Sequence, residues 1–175
     1  ILAALPLEQD LSYYRQAGRG VSIQWLNLSA EQTAKIDARL QYLARSENAR
    51  YRYDYYTSNC ATKVRDVLDE ALGGALNKQL TASSLGNTYR SESVRLAWPA
   101  KWMALGFDPG LSGNADKPLS KWQDAFIPML LQQSLTQVTL SDGKPLVSAE
   151  QSILPHRLKR PPSELPQWSL AAMAV

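Results

Sequence analysis

The chain reads as a helix-rich α+β domain, and three local patterns carry that reading. Val21-Ser-Ile-Gln-Trp25 alternates apolar and polar residues, as a half-buried strand does. Ser29-Ala-Glu-Gln32 and Ser120-Lys-Trp-Gln123 each have the spacing of a capping box in front of a helix. Asp142-Gly143 lies between the apolar runs Val138-Thr-Leu140 and Pro145-Leu-Val147, which predicts a hairpin near 138–147.

The elements follow in order. After the strand at 21–25, Ser29 opens a helix expected to reach about Ser46, with Ile36, Leu40 and Leu43 on its buried face and Lys35, Arg39 and Glu47 in solvent. Tyr51, Tyr53 and Tyr55 alternate and predict a short strand. A second helix begins behind Asn59, a residue type suited to the N-cap, and stops at Gly73-Gly74. Its spacing puts Cys60, Val64, Val67, Leu68, Ala71 and Leu72 on one apolar face. Residues 91–98 predict a third helix. Pro99 suits the first position of a short helix through Leu105, closed by Gly106, and 107–118 reads as a loop. Pro128 restarts the helix opened at Ser120 and carries it to about Leu135. From Pro155 the chain carries Pro161, Pro162 and Pro166 and reads as a tail or linker. The expected division is therefore a domain over 1–150 and a Pro-rich segment over 151–175. No internal repeat is visible.

Composition narrows the function. A chain of 175 residues can bury a real core, and 45% hydrophobic with 20% charged residues is ordinary for a folded domain. A net charge of +3 is too small to predict nucleic-acid binding, but it suits a contact with an anionic lipid surface or another acidic partner. One cysteine and one histidine exclude an internal disulfide framework and a Cys- or His-rich metal site, so no metal or cofactor is expected. No run approaches the roughly 18 apolar residues of a membrane span. The chain opens on Ile1 rather than methionine and shows no leader pattern, so a further segment upstream is expected.

Chemistry concentrates at Cys60. A thiol is nucleophilic as thiolate, and the first turn of a helix offers unused N–H groups and partial positive charge that favour it. The competing reading is a core cysteine at the head of the apolar stripe. A cysteine nucleophile also needs a base, and His156 sits in a basic, Pro-rich stretch that predicts an exposed tail histidine. Tyr53 and Tyr56 are candidates to line a pocket beside Cys60. Asp54 reads as a solvated turn carboxylate, and Arg65 and Asp66 as surface charges. Trp25, Trp98, Trp102, Trp122 and Trp168 read chiefly as packing, with a lipid-facing patch around Trp98, Trp102 and Trp122 as the minor alternative.

Trp25-Leu-Asn-Leu-Ser29 ahead of a helix, followed by Tyr53-x-Tyr-Tyr-x-x-Asn59-Cys60-Ala-Thr-x-x-Arg65-Asp66, resembles the DUF4105 family. That family includes N-terminal periplasmic domains of Lnb-type bacterial lipoprotein N-acyltransferases. Tyr89-Arg90, Trp102-Met-x-x-Gly106, the segment from Ala115 to Trp122, and Phe126-Ile-Pro128 add to the pattern, and the chain resembles the C-terminal part of the family over roughly residues 5–150. The resemblance implies a papain-like or NlpC/P60-like cysteine-enzyme domain of permuted order, in the bacterial periplasm or cell envelope. It implies Cys60 as nucleophile and Asn59 as its capping neighbour; the free N–H groups at the helix start, near Cys60 and Ala61, are then the expected donors to an oxyanion. The family's histidine lies in an upstream Gly-His motif that this sequence does not contain, so the base is expected from a preceding segment or a companion chain. The implied activity is thiol acyl transfer on a lipid or lipoprotein substrate. A cell-envelope cysteine peptidase or amidase and a non-enzymatic envelope scaffold remain alternatives.

Overall fold

The computed structural model describes residues 6–165. Trp168 and Pro166 lie outside the described residues. Within them the chain forms two compact units, one of residues 6–83 with 120–157 and one of residues 84–119 with 158–165.

The first unit carries a small sheet and several helices. Helix α1 (Leu7–Gln16) precedes strand β1 (Val21–Leu26), which pairs antiparallel with β2 (Val147–Leu154). The pairing places Gln24 opposite Glu150 and Trp25 opposite Ala149. Helix-rich α+β is thus the observed class, and β1 lies where the alternation predicts it. The boundary expected at residue 150 falls inside β2, whose second half pairs with Val21–Ile23.

Helix α2 (Ala30–Ala44) opens on the predicted box. Gln32 N donates to Ser29 Oγ at 3.1 Å, and Ser29 N donates to Gln32 Oε1 at 2.9 Å. The helix ends at Ala44, short of Ser46. Leu40 is exposed rather than buried, and Arg39 is half-buried because it reaches Glu70 at 3.0 Å. Helix α3 (Cys60–Ala71) ends at Gly73 and Gly74, whose φ angles of 64° and 83° are left-handed and suit glycine. Helix α4 (Ala75–Thr81) follows at once, burying Leu76 and Leu80. Its sequence offers no capping signal, and it was not expected. Short helix α7 (Lys121–Asp124) and helix α8 (Pro128–Leu135), with Pro128 in its first turn, match the second box and the proline restart. Leu68, Leu76, Leu80, Leu131, Leu135, Val138 and Leu146 form one apolar cluster. Each such side chain contributes about 1.5–3 kcal/mol through burial.

One local expectation is met in part and one fails, each for a visible reason. The hairpin at 138–147 forms as a tight reversal, with Leu140 N donating to Lys144 O and Leu146 N to Val138 O, both at 2.8 Å, and one antiparallel bridge, Thr139 to Pro145, but it does not lengthen into paired strands. Pro145 has no N–H to extend a ladder, and the strand proper starts at Val147. The tyrosine run 51–55 forms no strand. Asp54 Oδ1 accepts the N–H groups of Tyr56 and Thr57 at 3.0 and 2.7 Å and bends the chain into a turn closed by a bridge from Asp54 to Ser58.

The second unit contains helices α5 (Tyr89–Ala97) and α6 (Lys101–Gly110) and a 3₁₀ turn, Gly113–Asp116. Val94, Ala104, Ala115 and Leu119 are its buried apolar residues. A buried ion pair ties Arg95 to Glu92 at 2.6 Å, and Arg95 Nη1 donates to Pro162 O at 3.0 Å, which fixes the tail segment to α5. Helix α6 begins at Lys101 rather than Pro99 and runs past Gly106, where the sequence predicts a stop. The Arg90 guanidinium donates to the carbonyls of Asp108 and Leu111 and to the Asp116 carboxylate. It thereby supplies donors to two carbonyls at the C-terminal end of α6.

Candidate active site around Cys60

The site is built on the first turn of α3. Asn59 and Thr62 form a reciprocal capping box. Thr62 N donates to Asn59 Oδ1 at 2.9 Å, and Asn59 N donates to Thr62 Oγ1 at 2.8 Å. The Asn59 amide also donates to Tyr55 O at 3.0 Å and to Phe126 O at 2.8 Å. Asn59 is only 6% exposed, and each polar atom of its side chain is used. A buried amide satisfied at both ends fixes the start of the helix, and with it the direction of the next side chain.

That next side chain is Cys60, and it is exposed. The sequence places Cys60 at the head of a buried stripe. The second half of that stripe is buried as expected at Leu68 and Ala71, but in the first two turns Ala61, Thr62 and Arg65 are buried while Cys60 and Val64 face solvent. The difference follows from Arg65. Its guanidinium lies 3.8 Å from the centre of the Trp122 ring, donates to Trp122 O at 2.7 Å, and pairs with Asp66 Oδ1 at 2.7 Å. A cation stacked and bonded in this way can sit inside, which corrects the expectation of a surface charge and turns Cys60 outward. Asp66 stays partly exposed as its partner.

Aromatic rings support the turn before the helix. Tyr56 meets Tyr55 edge-on at 5.0 Å and Phe126 at 5.3 Å between ring centres. Burial pushes the Tyr55 phenol up, with Tyr56 and Tyr53 adding to the effect. Tyr53 is 60% exposed. Lys63 lies over the Tyr51 ring at 5.1 Å. Asp54 is an exposed turn carboxylate, held below the usual carboxylate range by the Thr57 hydroxyl and backbone N–H. The structure thus gathers Asn59, Cys60, Ala61 and Tyr56 at one helix start. Thr62 and Phe126, which complete the support, were missed. The Asn-x-x-Thr spacing was the available signal for Thr62, and nothing local marks Phe126.

His156 stands elsewhere. Gly20 N donates to its Nδ1 at 3.3 Å, and His156 is exposed, as a tail histidine was expected to be. A side chain at Gly20 would come within 2.9 Å of His156 Cβ, so glycine permits that approach. The backbone N–H groups of Cys60 and Ala61 make no hydrogen bond among the described residues. The site can therefore offer an accessible thiol and two donors beside it. A shallow depression lined by Lys78, Gln79, Lys121, Gln137 and Thr139 does not include Cys60.

Among the described residues, no helix is long and apolar enough to cross a membrane. A family model described as the Lnb N-terminal periplasmic domain matches residues 1–97, more than half of the chain. No curated protein and no solved structure matches the chain.

Proposed function

The chain belongs to the Lnb N-terminal periplasmic domain family, and on that premise we propose that it is a thiol acyltransferase-like domain of the bacterial envelope, with Cys60 as nucleophile. The observation that carries the proposal is the exposed Cys60 at the first position of α3, held there by the buried Asn59–Thr62 box. The fold that accompanies this reading is a permuted papain-like or NlpC/P60-like arrangement, in which α3 carries the cysteine.

The chemistry runs in two steps. A histidine on a further segment or a companion chain takes the Cys60 proton. The sulfur attacks the carbonyl carbon of an acyl ester, the C–S bond forms, the C–O bond breaks, and the alcohol leaves with the proton. The Cys60 and Ala61 N–H groups face the developing oxyanion. An amine then attacks the thioester, the C–N bond forms, the C–S bond breaks, and the thiol is restored. With a lipoprotein N-terminus as amine and a phospholipid as donor, the product is an N-acylated lipoprotein. Water in place of the amine gives hydrolysis, and a peptide carbonyl in place of the ester gives the amidase reading.

The test is the mass of the covalent intermediate. Full-length protein incubated with phospholipid is expected to gain the mass of one acyl chain, discharged by hydroxylamine and absent in Cys60→Ser. A peptide-derived adduct on Cys60 would support the amidase reading instead. A Cys60→Ser variant that accumulates normally and keeps full cellular function would leave only the scaffold.

A further inference from the structure

The second unit carries an apolar helix face turned to solvent. On α6, Trp102, Leu105, Gly106 and Pro109 recur at helical spacing and all are exposed, with Met103 beside them. Trp102 is 76% exposed and Leu105 48%. The charged residues of the helix, Lys101 and Asp108, are half-buried and border the face beside Leu105, and Ala104 is fully buried. The fully exposed positions of α6 therefore carry no charge. Water-facing helices of soluble domains show the reverse pattern.

We propose that this face of α6 rests in a lipid surface, with Trp102 as its interfacial anchor. Three features select a lipid over a second protein copy. Tryptophan, methionine, leucine and proline without a charge form the apolar side of a helix lying in a membrane interface, where the indole spans the boundary. Charge is complementary: the exposed cations Lys117, Lys159 and Arg160 of the same unit make no ion pair among the described residues, while Asp116 is engaged by Arg90 and Glu92 by Arg95. Area argues against a dimer. A helix of this length spans about 15 Å. One face of it offers a few hundred Å², well under the ~800 Å² per partner of a stable interface. Such a face suffices for reversible contact with a bilayer, reinforced by the attraction of basic side chains to anionic headgroups.

The contact is independent of Cys60. The full chain is mixed with vesicles of phosphatidylethanolamine and phosphatidylglycerol, and bound protein is separated by flotation. Wild type and Cys60→Ser are expected to bind alike and to lose binding as salt is added. The double variant Trp102→Ser with Leu105→Ser is expected to bind at least about tenfold more weakly. Equal binding by the double variant, or no binding by wild type, overturns the proposal. A dimer in sedimentation that the double variant dissolves overturns it too, and gives the face to a second copy. Should the double variant not fold, quenching of wild-type tryptophan fluorescence by brominated acyl chains decides: quenching that Trp102→Phe reduces supports the contact, and its absence refutes it.

Discussion

Helices α3 and α6 treat their apolar and polar residues in opposite ways. Helix α3 buries an arginine and exposes a cysteine and Val64, while α6 exposes a tryptophan and half-buries its lysine and aspartate. In α3 the inversion is supported by specific bonds: the Trp122 ring and carbonyl receive Arg65, and Asn59 and Thr62 lock the first turn. In α6 no comparable bond holds Trp102 or Leu105 outward. The exposed side chains of α3 are thus placed by what lies beneath them. Those of α6 are simply uncovered, which is the arrangement expected where the cover is another phase.

Breaking the support of α3 should have the largest effect. Asn59→Ala removes the cap of α3 and leaves the Tyr55 and Phe126 carbonyls short of a donor, one of them in a buried position. The expected cost is about 2–4 kcal/mol, from a lost cap and an unsatisfied buried group, measured as a shift in urea midpoint. Arg65→Leu keeps apolar volume but leaves Trp122 O without its donor and Asp66 without its cation. A loss of about 1–3 kcal/mol is expected, and reactivity of Cys60 toward iodoacetamide should change because the helix can roll. An unchanged alkylation rate in a folded Arg65→Leu protein would show that Arg65 does not set the direction of Cys60.

A smaller effect is expected from acid. Asp54 is held below its ordinary range by Thr57, so its hydrogen bonds contribute stability above the unfolded carboxylate range, and that contribution disappears as pH falls through the depressed folded value. Amide exchange at Tyr56 and Thr57 should accelerate on acidification before the rest of the unit responds, and Asp54→Asn should blunt the change. The smallest effect on stability belongs to α6. Trp102→Ser should alter the free energy of unfolding by no more than about 0.5 kcal/mol, because a largely exposed side chain contributes little to folding. A large loss there would mean that Trp102 is a packing residue, and the contrast with α3 would collapse.

What the sequence made visible was local. Ser29 with Gln32, Ser120 with Gln123, Pro128 and Gly73-Gly74 act within four residues of themselves, and each forms as read. Asn59 was legible as a cap by residue type, and its partner Thr62 only by its spacing, because threonine replaces the usual Glu or Gln of the box. What stayed hidden depends on distant partners. The outward turn of Cys60 follows from Arg65 finding Trp122, 57 residues away. Strand β2 exists through its pairing with β1, and α6 outruns Gly106 because Arg90, from another helix, reaches its terminal carbonyls. Periodicity alone placed Leu68 and Ala71 inside correctly, but it also placed Cys60 and Val64 there, where the buried Arg65 takes the inward position instead.

The central claim is that the exposed Cys60 thiol accepts an acyl group. Intact mass spectrometry of the full-length protein after incubation with phospholipid tests it most directly. The predicted result is a single acyl adduct that hydroxylamine removes and Cys60→Ser abolishes. An adduct that persists in Cys60→Ser, or no adduct on folded full-length protein, would contradict it.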